Sequence, residues 1–334
     1  MNKKTKNKEK HKINPIETIF FDNRIPNLIE KIRNNNDFKI ENFEKLVETE
    51  ELKTLDSLLT SDTAITENVL YYNIGAVLKQ EFFPCEVNYF FETKWDKKGK
   101  IIEICKPSPF NKIVKDHQFL NQYNINYDKF KDFRVDGDAV LLSTVNIIKP
   151  TKKMGHVREI RLRLKSAGSL AFKITQLLFG DSKGQIYDRM GCKIVCEDSK
   201  NNNECYKILE KLKKGIKHKI NNTEIGGIII LEPHSKNIED TIYSPRKGKE
   251  DLKMIFVNAV YMGEKIKNYY APTKRINFRI HIEPASTLEL EKNYKSNANH
   301  TVYKKKLWED AQKNWPPEAW NFYHLIKHAL DIRY

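Results

Sequence analysis

The sequence predicts an α+β protein: a mixed β-sheet flanked by helices in its second half, behind an N-terminal region that is first helical and then β-rich. Three patterns predict it. Apolar residues recur at three- and four-residue spacing through 15–82, as amphipathic helices require. β-branched and aromatic runs bounded by Pro, Gly or charge follow up to 150. From 151 onward strand-like and helix-like patterns alternate, which favours a layered sheet.

The elements follow in order. Residues 1–14 read as a disordered basic tail, and 15–150 as an N-terminal region without a motif that assigns it a role. Helices are expected over 15–34, 41–60 and 64–82, with Asn14 capping the first ahead of Pro15, and Asp62 or Thr63 starting the third. Strands are expected over 84–93, 100–107 and 138–150. In HVREIRLRLK, Ile160, Leu162 and Leu164 alternate with Arg161, Arg163 and Lys165, so a strand buries the first set and turns the basic set to its other face. SAGSLAFKITQLLF reads as a helix and IYDRMGCKIVCE as a strand. NECYKILEKLKKG reads as a helix that stops at Gly215. Further strands are predicted at 225–231, 254–260, 276–282 and 286–291, and a helical tail from 302 to 331 interrupted by Pro316 and Pro317.

Bulk properties narrow the function classes. Over 334 residues, 59 Lys and Arg against 44 Asp and Glu leave a formal charge of +15, which suits polyanionic partners such as nucleotides or RNA, although Lys-rich composition alone also yields a basic solvated surface. Cys85, Cys105, Cys192, Cys196 and Cys205 form no CxxC pair and have no histidine at metal-ligand spacing, so a reducing cytoplasmic setting is expected. No secretory signal is visible, and no apolar run is long enough for a bilayer.

The chemistry concentrates between Arg163 and Cys196. Lys165, Ser169 and Lys173 stand at i, i+4 and i+8, a column on one helix face if the helix begins at or just before Lys165, with Arg163 at the end of the preceding strand. Such a column beside the free amides of a helix N-terminus can hold an anionic oxygen cluster, and it is equally what a solvated helix face looks like. The acidic residue Asp188 opens the next strand.

Taken whole, R-x-K-x3-S-x3-K, the QIYDRMGCKIVC strand and the ECYKIL helix resemble the synthetase domain of the RelA/SpoT family over about 157–306. Lys193 stands where the family usually has arginine. Lys267 in KNYYAPTK is similar to the lysine of the family's KDY motif, with Lys274 and Phe278 at matching intervals and His281 one place early. Three differences stand out: a longer interval between Asp188 and Lys267, an acceptor loop without its glycine, and a second metal carboxylate that either Glu289 in TLELE or Glu283 in RIHIE could supply. Glu289 is preferred, as a strand residue opposite in direction to Leu288 and Leu290.

The resemblance implies a nucleotidyltransferase-like domain over 151–306, a C-terminal helical segment over 307–334, and transfer of pyrophosphate from ATP to the 3′-hydroxyl of GDP or GTP to give (p)ppGpp. It implies that Arg163, Lys165, Ser169, Lys173 and Lys193 hold ATP and its phosphates, Arg163 also stacking on adenine. Asp188 and Glu289 would hold Mg²⁺ at the catalytic centre, and Lys267, Lys274, Phe278 and His281 would hold the acceptor, Phe278 by stacking on its base. A synthetase-only enzyme is expected, since His117 has no partner histidine of the kind a phosphohydrolase needs and little chain follows the domain. Two alternatives remain open: a toxin-type relative that modifies tRNA 3′-ends, and an inactive nucleotide- or RNA-binding descendant. Asp136 and Asp138 read as a turn, GDSKGQ does not match a phosphate-binding P-loop, and His156, His300, His324 and His328 read as surface or packing residues.

Overall fold

The computed structural model describes residues 16, 19–97, 100–107, 143–152, 155–180, 186, 189–220, 222–230, 232–247, 250–263, 276–292 and 300–331. Helix α1 (Arg24–Asn34) buries Ile25, Ile29 and Ile32 along one face. Helix α2 (Glu50–Asn68) is capped by Thr49, whose side chain accepts a hydrogen bond from the Leu52 amide, with Glu50 and Glu51 in the first turn near the positive end of the dipole. No helix restarts at Asp62 or Thr63 as the sequence predicted. The helix runs on through a π-helical stretch (Val69–Ile74) into α3 (Gly75–Phe82). Asp62 is 1% exposed within it, because its carboxylate serves tertiary contacts rather than a cap: it accepts from the Phe21 amide and pairs with Arg189.

Strands β1 (Val87–Lys97) and β2 (Lys100–Pro107) form a hairpin, and β3 (Ser143–Pro150) pairs with β1 on one side and β4 (Val157–Leu164) on the other. The boundary expected at residue 150 thus falls between two paired strands of one sheet. Then come α4 (Ala167–Phe179), β5 (Met190–Cys196), α5 (Asn203–Lys213), β6 (Ile216–Ile220), β7 (Thr223–Ile230), β8 (Ile238–Asp240), β9 (Ile255–Gly263), β10 (Ile276–Pro284), α6 (Ala285–Lys292), α7 (His300–Asn314) and α8 (Pro317–Asp331). Gly215 ends α5 at φ 76°, a left-handed position that glycine adopts without a Cβ penalty. The sheet runs β2-β1-β3-β4-β5-β10-β9-β7-β6, with β8 also paired to β9. Among the described residues β5 and β10 are its one parallel pair, so it is a mixed sheet flanked by helices, as the sequence predicted.

Two short strands, β6 and β8, were not expected, and the strand predicted over 286–291 is helix α6 instead. On a strand Leu288 and Leu290 would share one face, but Leu288 is 2% and Leu290 37% exposed. The spacing that matters is Ala285 to Leu288, which brings both onto Val195 of β5 as one face of a helix.

The sheet has two unlike faces. One carries Ile160, Leu162, Cys192, Ile194, Val257, Phe278, Ile280 and Ile282 against the π-helical stretch, α3 and α5, forming the larger core. A second core joins α4 to α8 and to the N-terminal helices through Leu170, Phe172, Ile174, Leu59 and Tyr323. The opposite face of β4, β5, β10 and β9 is polar, and α6 covers one end of it.

Candidate functional site

Alternation along the central strands builds the site. In β4, Ile160, Leu162 and Leu164 are buried toward the helices, as their alternation predicts, and Arg161 and Arg163 turn to the polar face. In β10 the sequence INFRIHIE alternates the same way: Ile276, Phe278, Ile280 and Ile282 point into the core, and Asn277, Arg279, His281 and Glu283 share the polar face.

Register then sets the rows. Gly191 lies opposite Arg163 of β4 on one side and Arg279 of β10 on the other, and Arg279 lies opposite Asn258 of β9. Gly191 leaves room for an arginine: a Cβ there would stand 3.3 Å from Arg163 Cγ and 3.5 Å from its Nε, because the Arg163 side chain runs across the Gly191 backbone. Arg279 Nε donates to Asn258 Oδ1 at 3.0 Å, which fixes the guanidinium from the β9 side. Asn277, two residues earlier on the same face, has a buried Oδ1 without a hydrogen-bond partner among the described residues.

The predicted ladder sits at the edge of this row. Helix α4 begins at Ala167 behind Ser166, so Lys165 precedes the helix and the expected three-residue column is shortened to Ser169 and Lys173. Lys165 is instead tied to β5 by its backbone, its amide donating to the Arg189 carbonyl at 2.8 Å. Lys165 and Ser169 are buried, and Lys173, half-buried, donates to Gln176 Oε1 at 3.2 Å. Arg189 is itself locked: it donates to the Ile19 carbonyl at 2.9 Å, pairs with Asp62 and lies over the Phe20 ring at 4.9 Å. The N-terminal helices thereby hold the entry to β5.

Farther along the strands, toward α6, the described charges lie in ion pairs. Lys193 pairs with Glu283 at 3.0 Å and with Glu291 of α6. Burial, then Glu291, push the Glu283 carboxyl up, Lys193 pulls it back, and the balance leaves it at about 7. For Lys193 burial acts downward, but the two carboxylates outweigh it and raise its pKa. Beside them, burial works to raise Glu159, yet Arg161 at 2.8 Å and Lys149 at 3.0 Å leave it below its ordinary value. On the β9 side Arg246 pairs with Glu239 at 2.5 Å and covers the Phe256 ring at 4.5 Å. The Arg246 hydrogen bond, with Arg279 acting at longer range, holds Glu239 below the usual carboxylate range.

The structure therefore gathers Arg163, Lys193 and His281 on one face, with Lys165, Ser169 and Lys173 at its edge. Asp188, Lys267 and Lys274 lie outside the described residues. Phe278 is corrected: it is fully buried on the core side of β10, so no base can stack on it. His281 lies on the polar face, edge-on to Phe256 at 4.8 Å. Glu289 is corrected too, lying on the exposed side of helix α6 with Arg158 4.0 Å away rather than on a strand facing the site. Arg279, Asn258 and Asn277 were missed, although the alternation in INFRIHIE marks Arg279 and Asn277 as a shared face.

Asp188, one of the two carboxylates expected to hold Mg²⁺, lies outside the described residues, and neither Glu289 nor Glu283 stands at the Gly191 row as its second ligand. Glu283 is wholly buried and bound to Lys193, and it stands four residues along β10 from the Gly191 row, ~13 Å at the rise of a strand. The β10 residue at that row is Arg279, with Asn277 two residues earlier on the same face, and neither is a carboxylate. Among the described residues no group of three or more His, Cys, Asp or Glu could hold a metal, and no helix is long and apolar enough to cross a membrane.

No family model matches the chain, and no curated protein matches it. Solved structures do. One is small alarmone synthetase 2 from Bacillus subtilis, at 14% identity over 53% of this chain and 76% of that one, with a TM-score of 0.30. Another is small alarmone synthetase 1 from the same organism bound to its product pppGpp, at 10% identity over 53% and 74%, TM-score 0.26. A GTP pyrophosphokinase family protein from Streptococcus pneumoniae matches at 14% identity over 65% and 84%, TM-score 0.29. All three are alarmone synthetases or GTP pyrophosphokinases by name. Scores this low leave the chemistry to be read from the chain's own residues.

Proposed function

We propose that the protein is a RelA/SpoT-like nucleotide pyrophosphokinase whose donor site is the polar sheet face at Gly191. The observation that carries the reading is Arg163 lying across Gly191 at the junction of β4 and α4, where Lys165, Ser169 and Lys173 follow at the R-x-K-x3-S-x3-K spacing. A diphosphoryl group in transfer spreads negative charge over its oxygens, and fixed cations stabilise it without reorganising. In this reaction the acceptor 3′-hydroxyl oxygen attacks the β-phosphorus of ATP and gives up its proton to water, the bond from that phosphorus to the oxygen shared with the α-phosphate breaks, and AMP leaves carrying that oxygen. Arg163 and Lys165 hold the donor phosphates, and Lys173 adds positive charge from the helix. GDP or GTP is the first acceptor to test.

A second reading, a nucleotide-binding descendant without transfer activity, is favoured by Arg279, a cation rather than a carboxylate, standing beside Gly191 on β10. The buried Phe278 and the charge of +15 also keep tRNA as an acceptor to test. The full-length protein is incubated with γ-labelled ATP and GDP, GTP or deacylated tRNA, with and without Mg²⁺. Label on the guanosine nucleotide and release of AMP are expected. Label on tRNA moves the assignment to the toxin-type activity, and ATP binding without transfer to any acceptor selects the second reading.

A further inference from the structure

The disagreement between the expected metal site and the residues present has a structural counterpart. On the polar face the Gly191 row is flanked by two arginines, with Arg163 reaching across the glycine from β4 and Arg279 set on β10 beyond it. Two inter-strand spacings, ~10 Å, separate their Cα atoms, and the residue between them has no side chain, so the Arg163 side chain runs over it toward Arg279. Among the described residues, Arg161, Lys193 and Arg246 on this face each have a carboxylate within 3.0 Å. The Arg279 guanidinium is instead hydrogen-bonded to a neutral group, the Asn258 amide, and acts on the Glu239 carboxylate only at longer range. The amide oxygen of Asn277, buried and without a hydrogen-bond partner among the described residues, lies on the same face.

We infer that the polyphosphate of a nucleoside triphosphate is held over Gly191 between Arg163 and Arg279, the second guanidinium providing the positive charge that a metal ion would otherwise bring to the β10 side. The inference rests on the nucleotide reading above and adds to it that binding does not depend on a divalent cation. Planar guanidinium groups suit this role, since each presents paired N–H donors to phosphate oxygens.

The test is calorimetric titration of the full chain with α,β-methylene-ATP and with inorganic tripolyphosphate, each in Mg²⁺ and in EDTA. Wild-type affinity is expected to change by less than about threefold between the two buffers, and Arg279→Ala to weaken binding at least about tenfold in both, the scale of a lost charged hydrogen bond. Arg279→Lys should recover part of that loss, and Arg246→Ala, whose cation is already bound to Glu239, should bind as wild type. If Arg279→Ala does not fold, Arg279→Gln is read in its place. Binding that collapses in EDTA, or a folded Arg279 variant that binds like wild type, overturns the two-arginine clamp while leaving the nucleotide site in place. Failure of wild type to bind either probe in either buffer overturns the clamp and the nucleotide reading together.

Discussion

The two ends of the polar sheet face are built from similar residues and do opposite things. At the α6 end, Lys193, Glu283 and Glu291 neutralise one another, as do Arg161, Lys149 and Glu159. At the Gly191 end, Arg163 and Arg279 flank a glycine and the polar neighbours are asparagines. Burying an ion costs several kcal/mol unless a partner compensates it. A compensated cluster is therefore a fastening, and here it pins α6 to the sheet, whereas guanidinium groups without a carboxylate in hydrogen-bond contact among the described residues suit an anion that arrives from outside.

Breaking the fastening should give the largest effect. Lys193→Met leaves Glu283 buried without its cation and is expected to cost ~3 kcal/mol of unfolding free energy at pH 8, measured by urea denaturation. The loss should shrink at pH 6, because Glu283 without Lys193 keeps its proton more readily and a neutral carboxyl is cheaper to bury. An equal loss at both pH values would mean that Lys193 serves packing rather than charge. Arg163→Ala should behave in the reverse way, lowering affinity for α,β-methylene-ATP by roughly 1.5–3 kcal/mol with little change in the unfolding midpoint. A variant that unfolds early but binds normally once folded would make Arg163 another fastening.

Wild-type stability should itself depend on pH. Glu283 and Glu67 both have carboxyls raised to about 7, chiefly by burial. Since the folded state holds these protons more tightly than the unfolded chain, their contribution is complete below the ordinary carboxylate range and is lost as pH rises toward and through 7. Unfolding free energy is expected to fall between pH 5 and 8, and Glu67→Gln should flatten that slope. The smallest effect should come from Gly191→Ala. Its Cβ meets Arg163 Cγ at 3.3 Å, so the arginine shifts by tenths of an ångström. Stability should change by under ~1 kcal/mol, and nucleotide affinity should drop measurably; unchanged affinity would show that Arg163 tolerates displacement.

Much of this was legible in the sequence because alternation and spacing are local properties. The strand at β4, the helix of Leu170 and Ile174, the β5 strand and the Gly215 stop all follow from residues within a few positions of one another. The failures share a cause. Asp62 looked like a cap and Leu288 with Leu290 like a strand face, but Asp62 is held mid-helix by Arg189, and Leu288 by Val195, each distant in sequence. Phe278 had a matching interval within a motif, yet its parity on β10 puts it in the core.

By itself, the sequence determined the α+β alternation, the basic charge and the R-x-K-x3-S-x3-K run, since each depends on residue type and short-range order. Only the tertiary structure decided which charges meet. Pairing β5 in parallel with β10 set Arg279, and not a carboxylate, beside Gly191, and brought Glu283 and Glu291 to Lys193. The reason is register: the partner of each strand residue is fixed by hydrogen bonding between segments nearly ninety residues apart, and a shift of one position would turn every one of those side chains to the other face.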